Sequence, residues 1–234
     1  MLELRIGYRD RGSLSAVLEG WTTAVQQQLP AHGVRDVKLD LCTRRPLNAT
    51  DVDAIVDHVV RVGVAVKGLV PILRRPLALP STLKYLDVRC GELPSFRTHA
   101  PYLSTLLLEG LRIKHDEEWY ALLEAFPSLR VLGISHAPTP PVDAFTAAHL
   151  PASLEHLFWD NPSEMYRNGC KFLHNLPETL KTVTVTELGH YQAKARIIGA
   201  LWSNCRNRGI DLRVLTTGLR RVRDQSVEEW AASV

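Results

Sequence analysis

The stretch Pro127-Ser128-Leu129-Arg130-Val131-Leu132-Gly133-Ile134 decides the fold. It reads as a proline, a short gap, a leucine, two residues, a second leucine, one residue and another apolar side chain. The leucine-x-apolar ending alternates with period two, as a short half-buried strand does. Proline lacks the N–H that a strand ladder needs, so it belongs in the turn that leads into the strand. The same phrase occurs four more times. Pro80 precedes Leu83, Leu86 and Val88, and Pro101 precedes Leu103, Leu106 and Leu108. Pro151 precedes Leu154, Leu157 and Trp159, and Pro177 precedes Leu180, Val183 and Val185. The first leucines stand 20, 26, 25 and 26 residues apart. Recurrence at this length is the sequence mark of a repeat architecture.

Between the phrases the apolar period changes to that of a helix. Asp116 to Phe126 places Trp119, Leu122, Leu123 and Phe126 at i, i+3, i+4 and i+7. His190 to Arg206 carries Ala193, Ile197, Ala200, Leu201 and Cys205 on a similar stripe. Each unit is therefore strand, turn and helix, too small to bury its own apolar face and dependent on stacked neighbours. Weaker units extend the series. Asp211 to Leu215 follows the second helix, while Val64-Ala65-Val66, Val37 to Leu41 and Leu4-Arg5-Ile6 alternate toward the N-terminus, with helical patterns at 14–29 and 52–62. The first inward strand residues fall at 4, 37, 64, 86, 106, 132, 157, 183 and 212. The expectation is one domain over 1–234, of about eight or nine irregular units at a spacing of about 26 residues and clearest over 80–189.

These units resemble leucine-rich repeats, and their irregular lengths and leading prolines are most similar to the degenerate repeat regions of fungal F-box proteins. The resemblance implies an α/β solenoid with parallel strands on a concave face and helices on a convex one. It also implies recruitment of a protein substrate to a cullin-type ubiquitin ligase. Two departures stand out. The family's Asn or Cys, eight positions after the first leucine, is replaced by Gly91, Leu111, Ala137, Pro162 and Leu188. The N-terminal helical F-box of roughly forty residues is not legible, since Leu176-Pro177-Glu178-Thr179-Leu180 is the repeat phrase again. Three readings of that departure stand: a fragment, a divergent family member, or an adaptor that never had the module. The strand-like opening Leu2 to Ile6 leaves the expectation of a missing N-terminal cap, and an F-box upstream would make the chain a ligase adaptor.

If the strands pair in parallel, the residues that bracket each apolar position line one face. Its expected partner-binding residues are Tyr85, Asp87 and Arg89; Leu107 and Glu109; Val131; His156, Phe158 and Asp160; Thr184; and Arg213, with Lys38 and Asp40 extending it. Leu107, Val131 and Phe158 form an apolar centre flanked by charges of both signs. Two readings stand: an exposed aromatic anchor with a polar rim, suited to a protein partner, or a cluster covered by a neighbouring loop or terminus.

Catalytic signals are weak. His115-Asp116-Glu117-Glu118 sets a histidine beside three carboxylates, but acidic residues also favour the first turn of a helix. The other histidines show no metal-ligand spacing, no glycine-rich phosphate loop occurs, and Ser135 lacks the nucleophile-elbow pattern. No catalytic residue, cofactor or metal is expected. The alternatives are an enzyme with a shallow site around His115 to Glu118, or His156 and Asp160, and a repeat-protein regulator of a GTPase.

Composition bounds the rest. The 234 residues are 45% hydrophobic and 23% charged, which excludes a collagen, a disordered tail or a disulfide miniprotein. A net charge of +3 does not point to nucleic acid, and Arg220, Arg221 and Arg223 lack aromatic interleaving. Asp57, His58, Arg61 and Lys67 interrupt the longest apolar stretch, Val56 to Ile72, so no membrane partner is expected. Cys42, Cys90, Cys170 and Cys205 form no Cys-x-x-Cys pair, and no signal core follows Met1. Reduced thiols in the cytoplasm or nucleus are expected.

Overall fold

The computed structural model describes residues 2–5, 36–40, 54, 57, 65–70, 82–92, 100–112, 116–135, 150–160, 176–186 and 194–215. The chain falls into two compact units, Met1–Leu103 and Ser104–Val234, each taken by itself below. Both follow one α/β-like plan: strands pair in parallel with their sequence neighbours.

The first unit contains β1 (Leu2–Arg5), β2 (Asp36–Asp40), β3 (Ala65–Val70) and β4 (Tyr85–Glu92). β1 pairs with β2, β2 with β3 and β3 with β4, all in parallel. The expected strand at 64–66 starts one residue later and runs on to Val70. Val37 pairs with Val66 but Lys38 pairs with Gly68, so Lys67 is an extra residue. Such a bulge reverses which face later side chains occupy. Leu69, rather than a residue of the even-numbered set, then pairs with Leu86. Of the expected helix over 52–62, Ala54 and Asp57 are helical. The pattern at 14–29 lies outside the described residues.

The second unit contains β5 (Thr105–Arg112), α1 (Asp116–Glu124), β6 (Val131–Ser135), β7 (His156–Asp160), β8 (Thr182–Thr186), α2 (Lys194–Asn207) and β9 (Asp211–Leu215). β5 through β9 pair in chain order, all in parallel and in unbroken register. Leu106, Leu132, Leu157 and Val183 form one buried row, and Leu108, Ile134, Trp159 and Val185 form the next. Leu122, Leu123 and Phe126 of the α1 stripe are buried, as are Leu201 and Cys205 of α2, which lies against β9.

Four of the five leading prolines lie in turns that end on a phrase leucine, and Pro80 lies outside the described residues. Within the second unit, the N–H of Leu129 donates to Phe126, that of Leu154 to Pro151 and that of Leu180 to Pro177. Within the first unit, the N–H of Leu103 donates to Ala100 in the same way. Pro101 and Pro127 take the second position of their turns, where a fixed φ near −65° is favourable. Pro151 and Pro177 take the first, where only a carbonyl is needed. The phrase leucines themselves are buried.

Hydroxyls join successive turns. Ser153 Oγ donates to the carbonyls of Pro127 at 2.9 Å and Leu129 at 2.8 Å, and Thr179 Oγ1 donates to that of Leu154 at 2.9 Å. Each hydroxyl stands one residue before a phrase leucine and satisfies a turn carbonyl one unit back. In leucine-rich repeats the asparagine serves turn groups of this kind, and it is the residue this chain lacks.

Gly209 ends α2. Its φ of 70° is left-handed, its N–H donates to Arg206, and the N–H of Ile210 reaches back to Cys205. This pair of bonds is the Schellman arrangement, closed by the buried side chains of Ile210 and Cys205. It turns the chain directly into β9.

Candidate functional site: a charged ladder at the strand starts

The register sets the expected face in rows. Thr105, Val131, His156, Thr182 and Asp211 share one row, and Leu107, Gly133, Phe158, Thr184 and Arg213 share the next. Glu109, Ser135 and Asp160 share a third. This grouping matches the sequence expectation for the second unit. The expected exposure does not hold. Leu107, Val131 and Thr184 are buried, and Phe158 is 0% exposed. In the first unit Tyr85 and Asp87 are buried as well, and Arg89 takes its place on β4. Leu107, Val131 and Phe158 are therefore buried and do not form an open anchor. Strands less than 5 Å apart shade each other's side chains, and parallel sheets commonly pack on both faces.

What remains accessible lies at the ends of the rows. Glu109, His156 and Arg213 are half-buried. One residue before the strands, Arg130 and Lys181 are more open still, and Glu155 between them is half-buried. Arg130, Glu155 and Lys181 directly precede β6, β7 and β8, and the backbone locks them in place. The carbonyl of Ser104 accepts the N–H groups of both Arg130 and Val131, at 2.8 and 2.9 Å. The carbonyl of Arg130 accepts those of Glu155 and His156, and the carbonyl of Glu155 accepts those of Lys181 and Thr182. One geometry thus recurs three times and sets three long side chains side by side.

Their chemistry is complementary. Arg130 Nε donates to Glu155 Oε1 at 3.1 Å and Nη2 donates to Oε2 at 2.9 Å, a bidentate fork. Lys181 Nζ donates to the same Oε2 at 3.1 Å. The Arg130 fork above all, with Lys181 adding to it, holds the Glu155 carboxyl down to about 2 against the opposing effect of burial. Glu155 in turn raises the Arg130 guanidinium above its ordinary value. Arg213 Nε donates to Asp211 Oδ2 at 2.7 Å at the start of β9.

His156 sits behind this ladder. Its Nε2 lies 3.9 Å from Glu155 Oε2, and its buried Nδ1 makes no hydrogen bond among the described residues. Burial lowers its pKa, the Glu155 carboxylate opposes that, and Lys181, Arg130 and Arg213 reinforce it. His156 and Asp160, named in the alternative reading of a shallow enzyme site, occupy opposite ends of β7, about 13 Å apart along an extended strand. Glu117 is exposed and Glu118 half-buried on α1, while His115 lies outside the described residues. So do Arg220, Arg221, Arg223 and Trp230. Among the described residues, no group of three or more His, Cys, Asp or Glu side chains gathers as a metal site would require, and no helix is long and apolar enough to cross a membrane.

No protein-family model and no curated protein matches this chain. The site is accordingly read from its own geometry. Sequence reasoning missed Arg130, Glu155 and Lys181, although a signal was present. In three consecutive phrases the residue after the leading leucine alternates in sign, as Leu129-Arg130, Leu154-Glu155 and Leu180-Lys181.

Proposed function

We propose that this chain is a non-catalytic protein-interaction scaffold. Its strand-turn-helix units belong to a leucine-rich-repeat-like solenoid with strands on the concave side and helices on the convex side. The scaffold meets its partner at the strand starts, through Arg130, Glu155, Lys181 and Arg213, with His156 beside them. The buried centre of Leu107, Val131 and Phe158 supports that surface from below. The resemblance to F-box repeat regions extends the proposal: the partner is a substrate presented to a cullin-type ubiquitin ligase.

The observation that carries this reading is the recurrence of one backbone geometry before β6, β7 and β8. It places residues some 25 positions apart into one ordered, exposed row, with ion pairs fixed by register. An exposed row of mixed charge provides orientation and selectivity to an encounter between proteins.

Affinity capture with the full chain tests the proposal. Arg130→Glu combined with Lys181→Glu is expected to lose captured proteins that the natural chain retains, while its far-UV circular dichroism shows the fold intact. Retention of every captured protein by this double variant and by Arg213→Glu would overturn it. Phe158→Asp and Leu107→Asp are not suitable probes, because both positions are buried and the change tests folding instead.

A further inference from the structure

We infer that the exposed ladder receives an acidic segment of the partner protein, with Arg130 and Lys181 each taking a carboxylate. This rests on the scaffold reading above and names the chemistry of its partner. The argument begins with donors. A guanidinium carries five N–H groups along two usable edges, and an ammonium carries three. Arg130 spends Nε and one Nη2 bond on Glu155, and Lys181 spends one bond on the same carboxylate. The second edge of Arg130 and the remaining donors of Lys181 have no other partner among the described residues. Both side chains are open, at 59% and 65% exposure. Two cations share one carboxylate, so the trio is net positive.

Glu155 has a second effect. By gripping Arg130 through a bidentate fork it holds the guanidinium in one orientation. A ligand then meets a donor edge already ordered, and loses less side-chain entropy on binding. The arrangement suits a planar carboxylate, which matches a guanidinium edge with two parallel bonds.

Spacing defines the ligand further. Arg130 Nη2 and Lys181 Nζ bond the same Glu155 Oε2, at 2.9 and 3.1 Å, so the two nitrogens lie within about 6 Å of each other. Alternate residues of an extended segment share one face and stand about 7 Å apart. Acidic residues at i and i+2 of an extended peptide therefore meet both cations. A nucleic-acid backbone fits less well. Its unbroken row of phosphates would meet the carboxylates of Glu155 and Asp211 as well as the cations, and Phe158 and Trp159 are buried and do not offer a stacking surface there.

Fluorescence anisotropy on the full chain tests this, with a labelled peptide of six Glu-Ser repeats as probe. Saturable binding is expected at low ionic strength, weakened about fivefold by Arg130→Ala or by Lys181→Ala, as loss of one exposed charge pair implies. The matching Gln-Ser peptide is expected not to bind. Equal affinity for the two peptides, or unchanged affinity in the double alanine variant at an unchanged thermal midpoint, overturns the inference. So does a single-stranded oligothymidine that binds more tightly than the Glu peptide and loses affinity through the same substitutions, because the edge would then be a nucleic-acid site. If charge reversal abolishes protein capture while the Glu peptide neither binds nor competes, the acidic segment is wrong and the scaffold reading stands. If capture survives charge reversal, the scaffold reading itself fails.

Discussion

The middle and the start of β6, β7 and β8 are separated by one to three residues but obey opposite rules. In the middle, Gly133, Phe158 and Thr184 share a buried row, and the opposite face buries Leu132, Leu157 and Val183. At the start, Arg130 and Lys181 stand in solvent around a carboxylate. The contrast separates stability from surface chemistry in this unit. The buried rows are held by apolar packing. The ladder contributes little to stability and, on the function proposed above, sets the charge pattern that a partner meets.

The sharpest way to break this contrast is to place the chemistry of the ladder in the buried row. Phe158→Asp puts a carboxylate where no surface is exposed, and a loss of more than about 4 kcal/mol is expected. Urea unfolding checks it; a loss below about 1 kcal/mol would show that the row opens to water. Leu107→Ala, which leaves a cavity without a charge, is expected to cost about 3 kcal/mol in the same measurement.

Gly209→Ala probes the turn that starts β9. No atom lies within 4 Å of an added Cβ, so the cost is the left-handed backbone alone, about 1 kcal/mol. A thermal midpoint equal to that of the natural chain would show that the turn adopts another conformation.

The ladder itself gives a smaller, salt-sensitive effect. Glu155→Gln is expected to cost about 1 kcal/mol near neutral pH and less at high salt. Because the Glu155 carboxyl is held down to about 2, below its unfolded value, the folded state favours its ionised form. Its stabilisation is complete above the unfolded pKa near 4.5, declines as pH falls below that, and is lost once pH passes about 2. The stability difference between the natural chain and Glu155→Gln should therefore close over that interval. A difference that closes already at pH 6 would mean the fork does not hold the carboxylate.

The smallest effect concerns His156. Burial lowers its pKa, so the unfolded chain takes up a proton first as pH falls through about 6.5, and stability declines from there downward. His156→Gln should flatten that part of the pH profile relative to the natural chain. Identical slopes between pH 7 and 5 would show that the ring is solvated, in conflict with its buried Nδ1.

Local order was readable because it depends on near neighbours along the chain. Period-two alternation marked each strand, proline marked the turns before them, and the apolar stripes marked α1 and α2. The reading slipped at β3, where Lys67 bulges: a bulge depends on the partner strand, which alternation within one segment does not report. It slipped again at the face of Leu107 and Phe158. Alternation tells which residues share a face, but what lies over that face is set by packing.

The sequence by itself determined the strand positions, the turns, the two helical stripes and the grouping of residues into rows, since each follows from the conformational limits of proline and the periods of strand and helix. Only the tertiary structure decided that both faces of the rows are buried, and that Arg130, Glu155 and Lys181 form one ladder. The physical reason is register. Side chains some 25 residues apart become neighbours only when parallel strands align, and that alignment is settled by backbone hydrogen bonds between units.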